Sequence, residues 1–205
     1  MYCLKCACEY SEWTGKCPLD GTPLVERPPV VDTAAPDAVP YETIVKMLRN
    51  NGGSRELELI TTAIVRERKM GFPYRGYGFA WARKMEGSIG GIAVTLRIDE
   101  VGLDNEGGFP YQGYGLAWER RMRGWIGGHE ITLAATKVAR EKKLLFPYRG
   151  HGYAWADELS GDCGHLIRAE MRTTDVGRDR NWFLFYFGFG YAWINRATLR
   201  LTLSD

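Results

Sequence analysis

The chain has 205 residues and 45% hydrophobic content, enough for one good-sized domain or two small ones with a packed core. Its 27 Lys and Arg against 25 acidic residues leave a net charge of +2. That balance argues against a strong nucleic-acid or membrane field, while leaving room for a local basic patch. No apolar run reaches the ~18 residues of a membrane span. No basic-then-apolar leader opens the chain, so a cytoplasmic protein is expected.

Four of the five cysteines stand between Cys3 and Cys17. Such clustering without an export signal reads as a metal site in a reducing compartment, not a disulfide framework. The segment is "CLKCACEYSEWTGKCPLDGTPL". One tight turn is Cys3-Leu4-Lys5-Cys6 and a second is Cys17-Pro18-Leu19-Asp20-Gly21. This stretch, residues 3–24, resembles a zinc ribbon. The resemblance implies two turns that each offer two ligands to one structural Zn2+. Cys3, Cys6 and Cys17 match the pattern, and Asp20 stands where a fourth Cys would. Cys8 is the alternative fourth ligand, because a thiolate is the softer donor. Spacing favours Asp20; ligand chemistry favours Cys8. We prefer Asp20, since Cys8 would take three ligands from six consecutive residues. Ribbons of the "CPxDGTPL" kind look like accessory modules of bacterial proteins, which implies a bacterial setting. The ribbon unit is assigned to residues 1–25.

Residues 26–40, "ERPPVVDTAAPDAVP", hold four prolines and three alanines. Proline fixes φ and removes donors, so an extended tether is expected. Residues 41–53, "YETIVKMLRNNGG", place Ile44, Val45 and Leu48 on one helical face, with Gly52 or Gly53 available as a left-handed C-cap. A short helix is expected there.

Residues 54–205 repeat. "FPYRGYGFAW", "FPYQGYGLAW", "FPYRGHGYAW" and "LFYFGFGYAW" end at Trp81, Trp118, Trp155 and Trp193, spaced 37, 37 and 38 apart. A segment rich in Ile, Val, Thr and Leu precedes each motif. "IAVTLRI" alternates well, with Ile92, Val94, Leu96 and Ile98 on one side. Two strands per repeat make four long hairpins and eight strands, and the alternating tail "ATLRLTL" suggests a ninth. So many antiparallel strands in one domain must hide their edges. The expected fold is therefore mainly β, an antiparallel barrel of 8–9 strands, with a two-sheet sandwich as the alternative. A four-bladed propeller is excluded because it needs about four strands per repeat.

Period two divides each motif into a large-residue face and a small one. Tyr77, Phe79 and Trp81 oppose Gly76, Gly78, Ala80 and Ala82, and the other repeats follow suit. Burying an aromatic contributes on the order of 2–3 kcal/mol, so the large face is expected to be core. The glycine face is expected to admit close approach by a helix or another subunit. An up-and-down chain brings the three "FPY" loops and the fourth repeat's "LFY" to one rim. There Tyr74, Arg75, Tyr111, Gln112, Tyr148 and Arg149 interleave cations with aromatics, while the fourth repeat offers Phe187.

No phosphate loop, dinucleotide fingerprint, HExxH or GxSxG is present. Cys163, His165 and Asp162 in "GDCGHL" lack an orienting third group, and neighbours in a turn rarely point at one another. The favoured reading is a non-enzymatic adaptor that holds a protein partner at its rim. Two other classes compete: a small-ligand-binding barrel, and a nucleic-acid binder using the basic aromatic rim. Near-zero net charge makes nucleic-acid binding weak. Oligomeric state is not encoded in any feature of the sequence.

Overall fold

A computed structural model describes residues 38–71, 74–108, 111–145, 148–183 and 186–204; the side chains within 66–79, 104–115, 142–152 and 179–191 lie outside the described set. The chain divides into two units between Pro36 and Asp37, and every described residue belongs to the second.

Helix α1 (Tyr41–Arg49) starts directly after Pro40, whose extended backbone closes off further helix on the N-terminal side. Glu42 in its first turn and Lys46 and Arg49 in its last complement the helix dipole. Gly52 and Gly53 have φ of 72° and 81°. The Gly53 amide donates back to the Leu48 carbonyl at 2.9 Å, a left-handed C-terminal closure. Ile44, Val45 and Leu48 form the buried face, as their spacing predicts.

Eight strands follow: β1 (Ser54–Gly71), β2 (Tyr74–Ile89), β3 (Ile92–Gly108), β4 (Tyr111–Ile126), β5 (His129–Leu145), β6 (Tyr148–Cys163), β7 (Ile167–Phe183) and β8 (Tyr186–Leu203). Each pairs antiparallel with the next, and β8 returns to β1, so the sheet is a closed up-and-down barrel. The tail "ATLRLTL" is not a ninth strand. It is the C-terminal half of β8, whose 18 residues run unbroken from Tyr186.

The turns joining repeats explain part of the glycine content. Gly90 and Gly91 have φ of 58° and 83°, and Gly127 and Gly128 have 53° and 88°. A two-residue hairpin of the primed type needs positive φ at both central positions, which glycine supplies without steric cost. All three inter-repeat turns lie at the end of the barrel that α1 occupies: Val39 donates to the Gly127 carbonyl at 3.0 Å, and Tyr41 bonds the Cys163 carbonyl at 2.8 Å. The last residues of the expected tether are thus already fixed to the barrel.

Pairing is unequal around the sheet. Within a repeat it is long, from Val94↔Ile126 to Gly108↔Tyr111 in the second. Between repeats it is short, from Lys84↔Arg97 to Ile89↔Ile92. The closed barrel is therefore squat, and beyond it each repeat continues as its own two-stranded hairpin.

Inside the closed section the packing is predominantly apolar. Leu59, Met85, Leu96, Met122, Ile131, Leu133, Leu159 and Leu199 are fully buried, and Ile44, Val45 and Leu48 of α1 join the same cluster. The outer wall carries paired charges. Arg123 meets Glu130 at 3.2 Å, Arg196 meets Glu58 at 3.1 Å, and Arg200 meets Glu56 at 3.4 Å, each across neighbouring strands. Such exposed pairs contribute about 0–1 kcal/mol each. They suit a wall facing water, since Arg or Lys at the middle of a lipid layer costs about 2–4 kcal/mol.

Candidate functional site

The expected zinc ligands Cys3, Cys6, Cys17 and Asp20, and the alternative Cys8, lie outside the described residues. Among the described residues no group of three or more His, Cys, Asp or Glu is placed to hold a metal.

The expected rim residues open strands. Tyr74 and Arg75 begin β2, Tyr111 and Gln112 begin β4, and Tyr148 and Arg149 begin β6. The up-and-down order puts these strand starts at the same end of the sheet, opposite α1. Their side chains lie outside the described set.

The large-residue face is buried at Trp81, Leu116 and Tyr153, as expected, but it does not fill the barrel centre alone. Ala82, Ala156 and Ile194, from the small-residue face, are fully buried in the central apolar cluster. Trp81 packs elsewhere, with Val65 of its own hairpin and with Ile98, Val101 and Ala117 of the next. Arg140 of β5 lies 5.8 Å over the Trp118 ring, and Arg178 of β7 lies 6.0 Å over Trp155. Trp81 of the first repeat thus packs on Ala117, on the small-residue face of the second, and Trp118 and Trp155 each lie beneath an arginine of the repeat that follows. Both faces are buried: Ala80 is 2% exposed and Trp81 8%. At Ala117 the close approach expected on this face is made by Trp81 of the neighbouring hairpin. A further contact belongs to the glycines of the first strands. A Cβ on Gly102 would fall 2.3 Å from the Trp118 ring, and one on Gly177 equally close to Trp193. These rings lie flat on a bare cross-strand backbone.

The physical cause of the change of face is a register break. In each hairpin the pairing slips at a matching level beside the motif, Thr61/Ala63/Ile64, Ile98/Glu100/Val101, Ala135/Lys137/Val138 and Thr173/Asp175/Val176, and once more near the hairpin tip. Inward positions then advance by three residues instead of two: Ala82 to Met85, Glu119 to Met122, Ala156 to Leu159, Ile194 to Ala197. A bulge of this kind moves every later side chain to the other face.

The same level holds the barrel's one buried charged side chain among the described residues, Glu119, which is fully inaccessible. It occupies the position filled by Ala82, Ala156 and Ile194 in the other repeats. Its Oε1 accepts from the Ala82 amide at 2.7 Å and the Ile194 amide at 3.4 Å; its Oε2 accepts from the Ala156 amide at 3.5 Å. Burial raises its pKa above the ordinary 4.5, and the backbone amides of Ala82, Glu119, Ile194 and Ala156 draw it partly back. The sequence reading passed over Glu119. The available signal was a charge at a motif position that is Ala, Ala and Ile elsewhere.

Cys163 and His165 are each engaged in packing. Cys163 is buried in the barrel cluster, where desolvation pushes its thiol up to about 11. His165 instead stacks on Tyr41 with ring centroids 5.4 Å apart. His129, at the equivalent repeat position, meets the Tyr41 ring edge-on at 5.2 Å and bonds the Val39 carbonyl at 2.7 Å. The two histidines brace the start of α1.

The chain matches no family model, no curated protein and no solved structure. Mainly β barrel is accordingly the class that geometry defines, and function rests on the chemistry of this chain alone.

Proposed function

We propose that the protein is a non-enzymatic adaptor. A zinc ribbon held by Cys3, Cys6, Cys17 and Asp20 is joined by the proline-rich segment to a rigid β-barrel. A protein partner docks on the hairpin tips, at Tyr74, Arg75, Tyr111, Gln112, Tyr148 and Arg149. The observation that carries this reading is the filled interior. Large apolar side chains occupy the closed barrel and α1 packs into its end, whereas an eight-stranded ligand carrier needs internal room. With the inside committed to packing, recognition falls to surfaces. The tips carry a motif that recurs in the sequence, and its mixture of ring and guanidinium suits a partner apolar on one side and acidic on the other.

The test compares the full chain with Arg75→Ala/Arg149→Ala and with a wall control, Arg168→Ala, in capture from the source cytoplasm. The captured protein is then purified and titrated against each form. The double variant should weaken that binary complex at least about tenfold, roughly 1.4 kcal/mol, and the control should leave it unchanged. Equal binding by the tip variant would remove the rim from consideration. A salt-resistant complex with single-stranded nucleic acid that depends on Tyr74 and Tyr148 would replace the adaptor reading by base stacking; weak binding lost by about 0.2 M salt fits the adaptor.

A further inference from the structure

Each repeat ends its pairing with the next at nearly the same level. β2 leaves β3 at Lys84↔Arg97, β4 leaves β5 at Arg121↔Ala134, β6 leaves β7 at Glu158↔Arg172, and β8 leaves β1 at Arg196↔Ile60. The residue two positions beyond, directly after the motif tryptophan, has lost its neighbouring ladder. A buried amide in that position must find an acceptor or cost stability. Three of these amides, on Ala82, Ala156 and Ile194, donate to the Glu119 carboxyl, and the fourth is that of Glu119 itself. Four repeats thus direct one amide each toward a single carboxyl group, which has about four acceptor sites to offer. All the donors are backbone, so the ring is fixed by strand geometry and not by rotamer choice.

We infer that this ring of four amides is a carboxyl-binding site that belongs to the repeat fold, with Glu119 as its tethered ligand, and that a free carboxylic acid of acetate size occupies it once the side chain is cut back. Two consequences separate this from an ordinary buried hydrogen bond. The ligand need not be covalently attached, because the donors stay in place. Nor need it come from the second repeat, because Ala156 is related to Glu119 by the repeat and faces the same ring.

The experiment follows thermal unfolding of the full chain. Glu119→Ala should melt lower than wild type, through orphaned amides. Added acetate should raise its midpoint saturably and recover a large part of the loss, as a ligand specific to the folded state must. Wild type, its site already filled, should not respond. No response of Glu119→Ala to acetate overturns the site, as does an equal response to sodium chloride at matched ionic strength or in wild type. A second variant covers the case in which Glu119→Ala does not fold. Glu119→Ala combined with Ala156→Glu should fold and melt close to wild type without acetate. A double variant as unstable as Glu119→Ala overturns the inference.

Discussion

Glu119 shows how one side chain links strand geometry to solution behaviour. Its carboxyl is held above 4.5 by burial, so between the ordinary carboxyl range and its raised value the native state binds more protons than the unfolded chain. Stability then falls as pH rises through that window and levels off above it. Replacing it with the fourth repeat's residue, Glu119→Ile, removes this contribution. Urea midpoints measured across mildly acidic to neutral pH should show wild type losing ground to the variant as pH rises. A gap that does not change with pH would mean the carboxyl titrates normally. Gly124 answers to sterics alone. A Cβ there would fall 1.8 Å from the Thr95 carbonyl oxygen, on backbone that cannot turn aside. The equivalent glycines Gly87 and Gly161 are crowded in the same way by Glu58 and Thr132, as strong coiling of a narrow barrel requires. Gly124→Ala should cost about 3 kcal/mol or more by overpacking, measured by urea denaturation. A neutral result would show that the barrel wall relaxes more readily than its contacts suggest.

At the scale of elements, α1 acts as a stopper. Its Leu48 is fully buried against the barrel interior, so Leu48→Ala should destabilise the barrel as a whole by about 2–5 kcal/mol. Separate melting of helix and barrel by circular dichroism and tryptophan fluorescence would contradict that coupling. The repeat period, the hairpins and this helix were legible because each rests on local pattern: fixed tryptophan spacing, alternation over seven residues, and a three-four apolar face. The barrel followed from edge protection. The register break was not anticipated, because the Ala-Trp-Ala alternation runs into it without interruption. Its trace lies just after the motif, where two polar residues stand together: Arg83-Lys84, Arg120-Arg121, Asp157-Glu158 and Asn195-Arg196. A strict two-residue period allows only one of each pair to face water. The inward turn of Glu119 was hidden by the same slip. The packing of Trp81 on the next repeat was hidden for a different reason, being a contact between hairpins that no single-strand pattern encodes.

At the scale of the whole molecule, the two units should respond separately to substitution. Metal analysis is expected to find about one zinc per chain. Cys17→Ser should abolish it while leaving the barrel's melting midpoint in place. Zinc retained in full by that variant would dismiss the ribbon site, and a large fall in the midpoint would dismiss the independence of the units. The closed sheet itself contains one junction unlike the others. Three inter-repeat pairings are joined by tight turns, whereas Ser54↔Thr202 through Ile60↔Arg196 brings together the first and last strands. By the logarithmic law of loop closure, gathering roughly 140 residues of chain costs about 4 kcal/mol more entropy than closing a loop of a few. In kinetic terms this makes β1–β8 a clasp. Hairpins can assemble in sequence from neighbours alone, but the ring becomes a ring only when the clasp fastens, so weakening it should hasten opening far more than it slows the earlier steps.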